Sequence, residues 1–171
     1  MSREILDEEI EVRDVDIVVS KSNENGDITY ANQIFVKLSG YVQSELLDKP
    51  HSILRHPDMP SVIFKFLWQE LKAGNDVFAF VKNLTKDGKY YWTLANVRVA
   101  KNPDGSLRNY VSTRRRMSEK AKKTIIPLYA ALLEKEKNDG IDASWQLLND
   151  ILVKNGSSMQ TFNDLMKKIQ N

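Results

Sequence analysis

The chain has 171 residues, of which 42% are hydrophobic and 9% aromatic, enough for one ordinary domain with a real core plus a short appendage. Its 25 basic and 23 acidic residues leave a net charge of +2, which gives no reason to expect a nucleic-acid partner. The absence of cysteine excludes disulfides, thiolate metal sites and cysteine nucleophiles. No stretch approaches the roughly 18–20 apolar residues of a membrane span, and the acidic N-terminus is unlike a signal peptide, so we expect a cytoplasmic protein without direct membrane insertion.

The first half of the chain predicts a β-hairpin followed by helices. Two short strand-like segments flank Asn25-Gly26, a pair typical of tight hairpin turns. Asn32 is a helix-capping residue type, and the short helix that it opens ends at Gly40. Pro60 is predicted to occupy the first turn of the longest helix of this half. The predicted elements are strands at 17–20 and 27–31, helices at 33–39, 43–47 and 60–73, and a structured loop at 51–59.

The next segment predicts a three-stranded meander. Turn residues at 86–88 and 102–105 separate stretches that are rich in aromatic and β-branched side chains. The predicted strands are 78–84, 90–100 and 107–114. Because strands and helices are segregated along the chain, we expect an α+β fold with an antiparallel sheet.

After Met117 the pattern becomes helical. Ser118 is predicted to cap a helix that runs to about residue 137, with a kink or a restart at Pro127. Asp142 and Ser157 are predicted to cap two further short helices. Apolar side chains recur at a spacing that favours helix packing, and they form a predicted docking surface unless they are buried within the chain itself. These residues are Ala121, Ile125, Leu128, Leu132, Phe162 and Ile169.

The order of motifs resembles the PAS family. Ile28-Thr-Tyr-Ala-Asn32, Ser39-Gly-Tyr41 and Lys86-Asp-Gly88 resemble the family broadly. Lys49-Pro-His-Ser-Ile-Leu-Arg-His-Pro-Asp-Met-Pro60 is similar to a loop of its aerotaxis-receptor branch, whose members sense redox state through bound FAD. The resemblance covers about residues 14–135. It implies a PAS fold, a five-stranded antiparallel sheet with short helices on one face, followed by C-terminal helices.

The organisation implied is an N-terminal cap at 1–13, a PAS sensor domain at 14–117 and a C-terminal helical segment at 118–171. Two departures from the branch stand out. Val77 stands where the aerotaxis receptor has a tryptophan, which leaves open whether the pocket holds FAD, haem or nothing. The receptor also continues into a membrane anchor and a long signalling hairpin. This chain is expected to be similar to stand-alone PAS proteins that act beside a separate transducer.

The resemblance also implies where a cofactor would bind. Arg55, His56 and Asp58 lie in one loop before a helix N-terminus, where a guanidinium and the helix dipole suit the pyrophosphate of FAD. Spacing alone favours a local alternative, in which Asp58 caps the helix and Arg55 pairs with Asp58. With the resemblance, the cofactor role is preferred.

Amide and indole side chains complete the predicted site. Asn83 and Asn96, both expected on central strands, offer donors and acceptors that suit the pyrimidine edge of a flavin unless they face water. Asn32 matches the family, although a helix cap is its plainer role. Trp68 is predicted to contact the isoalloxazine from the helix above the pocket, with a core position as the alternative.

The predicted function is redox or energy sensing through bound FAD, with the output passed to a membrane-bound chemotaxis transducer and with a homodimer as a further expectation. No catalytic motif is present, so we expect no enzyme. The alternatives are a ligand-free interaction module, a weak flavoenzyme, and a haem sensor that uses His51 or His56. The basic cluster Arg114–Arg116 is interpreted as a solvated strand end.

Overall fold

A five-stranded antiparallel sheet with helices packed on both of its faces organises the computed structural model, which describes residues 3–171. The strands are β1 (Val18–Ser22), β2 (Ile28–Ala31), β3 (Val77–Leu84), β4 (Tyr90–Lys101) and β5 (Leu107–Arg116). The helices are α1 (Gln33–Ser39), α2 (Gln43–Leu46), α3 (Ser61–Lys72), α4 (Glu119–Asp139), α5 (Ile141–Lys154) and α6 (Phe162–Gln170), with a 3-10 turn at His51–Leu54. The predicted fold class and the order of its elements are confirmed, and the predicted N-terminal cap is described from residue 3 onward.

The strand order in the sheet is β2-β1-β5-β4-β3, with every neighbouring pair antiparallel. The N-terminal hairpin therefore pairs with β5, and β3 lies at an edge. The prediction that Asn83 sits on a central strand is wrong, because Asn83 belongs to β3, whereas Asn96 lies on β4 inside the sheet. A short antiparallel bridge between Arg55 and Asn83 covers part of this edge.

Local capping chemistry defines the first helix as the sequence predicts. The Asn32 side-chain oxygen accepts hydrogen bonds from the Phe35 N–H at 3.0 Å and from the Val19 N–H at 3.1 Å. The cap therefore also attaches α1 to β1. Gly40 ends the helix with a φ of 74°, a left-handed conformation that glycine adopts without the steric cost of a Cβ.

Three other helix starts differ from the prediction. Pro60 is the residue before α3 and not its first helical residue. Asp142 lies inside the first turn of α5, where its carboxylate pairs with Lys65 of α3 at 2.8 Å instead of capping. Ser157 does not cap α6, which begins after Thr161. For Asp142 the reason is a tertiary partner, because Lys65 takes the carboxylate that the local pattern assigns to the cap.

The outer face of the sheet is covered by the C-terminal helices. The Tyr129 hydroxyl of α4 donates to the Phe80 carbonyl at 2.8 Å, and its ring centroid lies 6.1 Å from that of Trp92. The predicted docking surface is therefore wrong as a free surface, because this apolar stripe is buried against its own sheet and helices. Its fully buried members are Ala121, Ile125, Leu132 and Phe162. Each large side chain gains about 1.5–3 kcal/mol from such burial, which favours packing within the chain.

Candidate functional site

A cavity of about 290 Å³ lies between the inner face of the sheet and α3. This volume is close to the lower end of the range for ligand pockets, about 300–1,000 Å³. Helix α3 supplies an apolar roof, and alternate residues of β3, β4 and β5 supply the floor. The roof residues are Phe64, Leu67, Trp68 and Leu71.

The two candidate asparagines lie on opposite faces of the sheet. Asn83 is 5% exposed and lines the cavity, and its side-chain NH₂ group has no hydrogen-bond partner among the described residues. Asn96 directly follows Ala95, which lines the cavity, so strand alternation turns Asn96 to the outer face. Asn83 therefore offers a free donor to a ligand, and Asn96 does not reach the pocket.

Arg114 is the main cavity residue that sequence reasoning missed. Its side chain is 3% exposed, its guanidinium lies 4.7 Å from the Phe35 ring centroid, and it donates to the Ser20 hydroxyl. Its Nε has no partner, and within residues 3–171 no carboxylate lies at ion-pair distance from it. The interpretation of this cluster as solvated is wrong for Arg114, which faces inward, and holds for its exposed neighbour Arg115.

This arrangement leaves an uncompensated positive charge inside the pocket. Burial lowers the pKa of Arg114, yet a guanidinium stays protonated in proteins. The neighbouring Tyr91 hydroxyl supplies no negative charge, because burial raises its pKa to about 12. A buried charge costs several kcal/mol when no partner compensates it. The inner end of the cavity therefore suits an anionic or electron-rich ligand.

His51 extends the polar chain from Arg114. Its Nε2 lies 2.9 Å from the Ser20 Oγ, and its ring stacks on Phe35 at a centroid distance of 5.9 Å. Because the Ser20 hydroxyl oxygen already accepts from Arg114, the Ser20 hydroxyl can donate its proton to the Nε2 of His51. Burial, and secondly the Arg114 charge, lower the pKa of His51 to about 3, so the imidazole is neutral at pH 7.

Arg55 reaches the cavity from the loop before α3. Its Nη2 donates to the Ser61 hydroxyl at 2.8 Å and to the Met59 carbonyl at 3.1 Å, and its guanidinium lies 4.6 Å from the Phe64 ring centroid. The local alternative of an Arg55–Asp58 pair is wrong. Both hydrogen bonds use a single nitrogen, so the other guanidinium N–H groups remain available to a ligand at the mouth of the cavity.

His56 and Asp58 turn away from the cavity. His56 is buried, its Nδ1 accepts from the Asp58 N–H at 3.1 Å, and its pKa is lowered by burial and by the Lys82 charge. The Asp58 carboxylate pairs with Lys82 at 2.7 Å. Of the predicted site residues, the structure brings Arg55, Trp68 and Asn83 to the cavity, and leaves Asn32, His56, Asp58 and Asn96 outside its walls.

The N-terminus of α3 is occupied by a carboxylate of the chain itself. Glu136 of α4 accepts from the Ser61 N–H and from the Val62 N–H, both at 3.1 Å. The expectation that this helix N-terminus is open to the pyrophosphate of a cofactor is therefore wrong, because its first two N–H groups donate to Glu136. Asp58, the predicted cap of this helix, does not cap it.

Trp68 and Gly26 meet at the other end of the cavity. The Trp68 ring lies edge-on to Tyr110 at a centroid distance of 5.5 Å. A Cβ at position 26 would lie 2.9 Å from the Trp68 ring, and the φ of Gly26 is 86°, so only glycine fits this turn. Val77, the departure noted in the sequence, is fully buried but is not part of the cavity wall.

Neither a metal centre nor a membrane span is found in the described part of the chain. Across residues 3–171, no three histidine, aspartate or glutamate side chains cluster in a way that could hold a metal ion. In the same residues, no helix combines the length and the apolar character needed to cross a bilayer.

Solved structures of sensor domains share this fold. A light-oxygen-voltage domain studied with a flavin analogue matches 72% of this chain and 87% of its own, with 27% identity and a TM-score of 0.55. The light-state structure of the blue-light photoreceptor Aureochrome1 LOV matches 71% of this chain and 90% of its own, with 27% identity and a TM-score of 0.54.

Curated relatives and a family model agree with the structural match. The aerotaxis receptor of Escherichia coli is 42% identical over 105 residues, 61% of this chain, and the nitrogen fixation regulatory protein of Klebsiella pneumoniae is 27% identical over 107 residues, 63% of it. The matched regions are only 21% and 22% of those proteins. The family model described as "PAS fold" matches residues 28–114, just over half of the chain. The chain therefore belongs to the PAS family, as a sensor domain related to the aerotaxis receptor.

Proposed function

We propose that the cavity under α3 binds FAD and that the protein reports redox or energy state, from the cytoplasm, to a membrane-bound chemotaxis transducer. The observation that carries the proposal is the buried guanidinium of Arg114, which faces the cavity without a carboxylate partner in residues 3–171. The 42% identity to an aerotaxis receptor supports the choice of ligand and of pathway.

The cavity residues match the parts of a flavin dinucleotide. The apolar roof of Phe64, Leu67 and Trp68 suits the flat faces of the isoalloxazine, and the free amide donor of Asn83 suits an acceptor on its edge. Arg55 stands at the mouth, where its unused donors suit a phosphate. A flavin without phosphate would use the ring contacts but not Arg55.

The polar residues would respond to the redox state of the ligand. A bound flavin supplies a ring whose charge and protonation change on reduction. Arg114 favours negative charge in the cavity, and the chain from Arg114 through Ser20 to His51 can redistribute its hydrogen bonds when that charge changes. Such a change shifts populations between two conformations and requires no catalytic residue, so the proposal assigns no enzyme activity.

The alternatives have weaker support in the geometry. A haem sensor needs an imidazole nitrogen with a free lone pair in the cavity. When the Nε2 of His51 accepts from Ser20, the proton of the neutral ring lies on Nδ1, and His56 lies outside the cavity walls. A ligand-free interaction module leaves the Arg114 charge and the Asn83 amide without partners, an arrangement that costs stability.

The proposal is tested by recovery of the transducer. The tagged protein is reduced with dithionite or left oxidised, and each form is used to purify partners from solubilised membranes of its own cells. A chemotaxis transducer should be recovered with one redox state in preference to the other, because coupling requires a difference of about 1–3 kcal/mol in binding free energy. Equal recovery with both states, or none with either, contradicts the proposal. Sizing of the pure protein tests the expected homodimer.

A further inference from the structure

Two faces of helix α3 contact different parts of the protein. One face carries Phe64 and Trp68 into the cavity wall. The other carries Lys65 and Phe66 toward the C-terminal helices, where Lys65 pairs with Asp142 of α5 at 2.8 Å. The cavity and the C-terminal helices are therefore in contact with opposite sides of the same twelve-residue helix.

The contacts on the outward face come from all three C-terminal helices. The Phe66 ring lies 4.5 Å from the Phe162 ring of α6 and 6.3 Å from the Trp145 ring of α5. A second polar contact, besides Lys65–Asp142, is Glu136 of α4, whose two carboxylate oxygens accept from the first two backbone N–H groups of α3. A carboxylate at a helix N-terminus is stabilised by both the hydrogen bonds and the helix dipole.

Arg55 and Glu136 share Ser61. The Arg55 guanidinium donates to the Ser61 hydroxyl at 2.8 Å, while the Ser61 N–H donates to Glu136 at 3.1 Å. The cation that faces the mouth of the cavity and the anion that attaches α4 are thus held by the same residue. A second anion bound to Arg55 is therefore linked to Glu136 through the two hydrogen bonds of Ser61, and like charges repel.

We propose that Glu136 is a latch that couples occupation of the cavity to the attachment of α4 and α5, an inference that rests on the proposed binding of FAD. The phosphates of FAD bind the unused N–H groups of Arg55 and place negative charge on the guanidinium whose Nη2 is bonded to Ser61. This charge repels the Glu136 carboxylate on the other side of Ser61 and weakens the hold of Glu136 on α3. Binding of FAD then increases the fraction of molecules in which α5 is detached.

Linkage makes the coupling reciprocal. If FAD weakens the latch by a given factor, then removal of the latch charge must tighten FAD binding by the same factor. Loss of an N-cap contact of this kind corresponds to about a fivefold change in the equilibrium constant between the attached and the detached C-terminal helices. Riboflavin has no phosphate, so its affinity is independent of Glu136.

The test compares E136Q with the wild type and with E134Q, a matched control because Glu134 is an exposed glutamate on the same helix. Amide hydrogen exchange is followed in peptides that cover α5, with a β5 peptide as an internal reference for global unfolding. Without ligand, α5 in E136Q should exchange about fivefold faster than in the wild type and in E134Q. FAD should accelerate α5 exchange in the wild type and in E134Q by a similar factor, and should add little in E136Q.

Affinities measured on the same preparations complete the test. FAD should bind E136Q about fivefold more tightly than the wild type, whereas riboflavin should bind both equally. If α5 exchange in ligand-free E136Q equals that in E134Q, the latch is refuted whether or not flavin binds. If FAD binds but leaves α5 exchange unchanged, the coupling is refuted while the proposed cofactor stands. If the wild type binds no FAD, the proposed cofactor fails, and the ligand-free comparison still decides on the latch.

Discussion

Replacing Arg114 with methionine should have opposite effects on stability and on ligand binding. Methionine keeps the apolar stem of the side chain but removes the guanidinium, and with it the buried charge and its contact with Phe35. In the ligand-free protein the charge costs several kcal/mol of desolvation. The hydrogen bond to Ser20 offsets about 1.5–3 kcal/mol of this cost, and the aromatic face of Phe35 offsets up to about 2 kcal/mol. We therefore expect the ligand-free variant to be as stable as the wild type or about 1 kcal/mol more stable.

The same substitution should weaken FAD binding. A hydrogen bond from a charged donor contributes about 1.5–3 kcal/mol, which corresponds to a loss of roughly 10- to 150-fold in affinity. Arg115→Met is the matched control, since Arg115 is exposed and faces away from the cavity. Urea unfolding of the ligand-free proteins and FAD titration by fluorescence measure the two effects. The reasoning is refuted if Arg114→Met destabilises the ligand-free protein by more than about 1 kcal/mol or leaves the FAD affinity unchanged.

Three further predictions follow from the site and the core. Arg55→Ala should lower FAD affinity about tenfold while leaving the circular dichroism spectrum unchanged, and should leave riboflavin affinity unaltered, because its donors serve the phosphates. Leu132→Ala should lower the free energy of unfolding by about 2–5 kcal/mol, whereas Ile126→Ala, on the same helix but 43% exposed, should change it by less than about 0.5 kcal/mol. His51 is neutral in the folded protein but becomes protonated in the unfolded chain below about pH 6.5. The free energy of unfolding should therefore fall by about 1.4 kcal/mol per pH unit as the pH falls from about 6.5 toward 5. His51→Gln should flatten the pH dependence of urea unfolding over that range, and an unchanged slope would contradict the lowered pKa.

The sequence alone predicts those features that depend on local chemistry. The helix between Asn32 and Gly40 was located to the residue, because a capping amide and a left-handed glycine define both ends without distant partners. Asp142 is different, because its carboxylate has a partner 77 positions away in Lys65. Such long-range competition leaves no trace in a local pattern, so the cap at this position could not be predicted.

The inner end of the cavity was missed for a related reason. The basic neighbours of Arg114 suggest a solvated position, whereas strand alternation determines its environment. Tyr110, Ser112 and Arg114 occupy alternate positions of β5 and all line the cavity. That alternation is visible in the sequence and, with the register of the sheet, was the signature that could have identified Arg114. The pairing of β1 with β5 brings Ser20 opposite Ser112, and only the fold shows it.

The absorption spectrum of the purified protein tests the central claim most directly. The account predicts flavin bands at roughly 370 and 450 nm that disappear on reduction with dithionite, and intact FAD in the supernatant after heat denaturation. A sharp band at roughly 400 nm would indicate haem instead. A colourless protein that fails to take up added FAD would contradict the account.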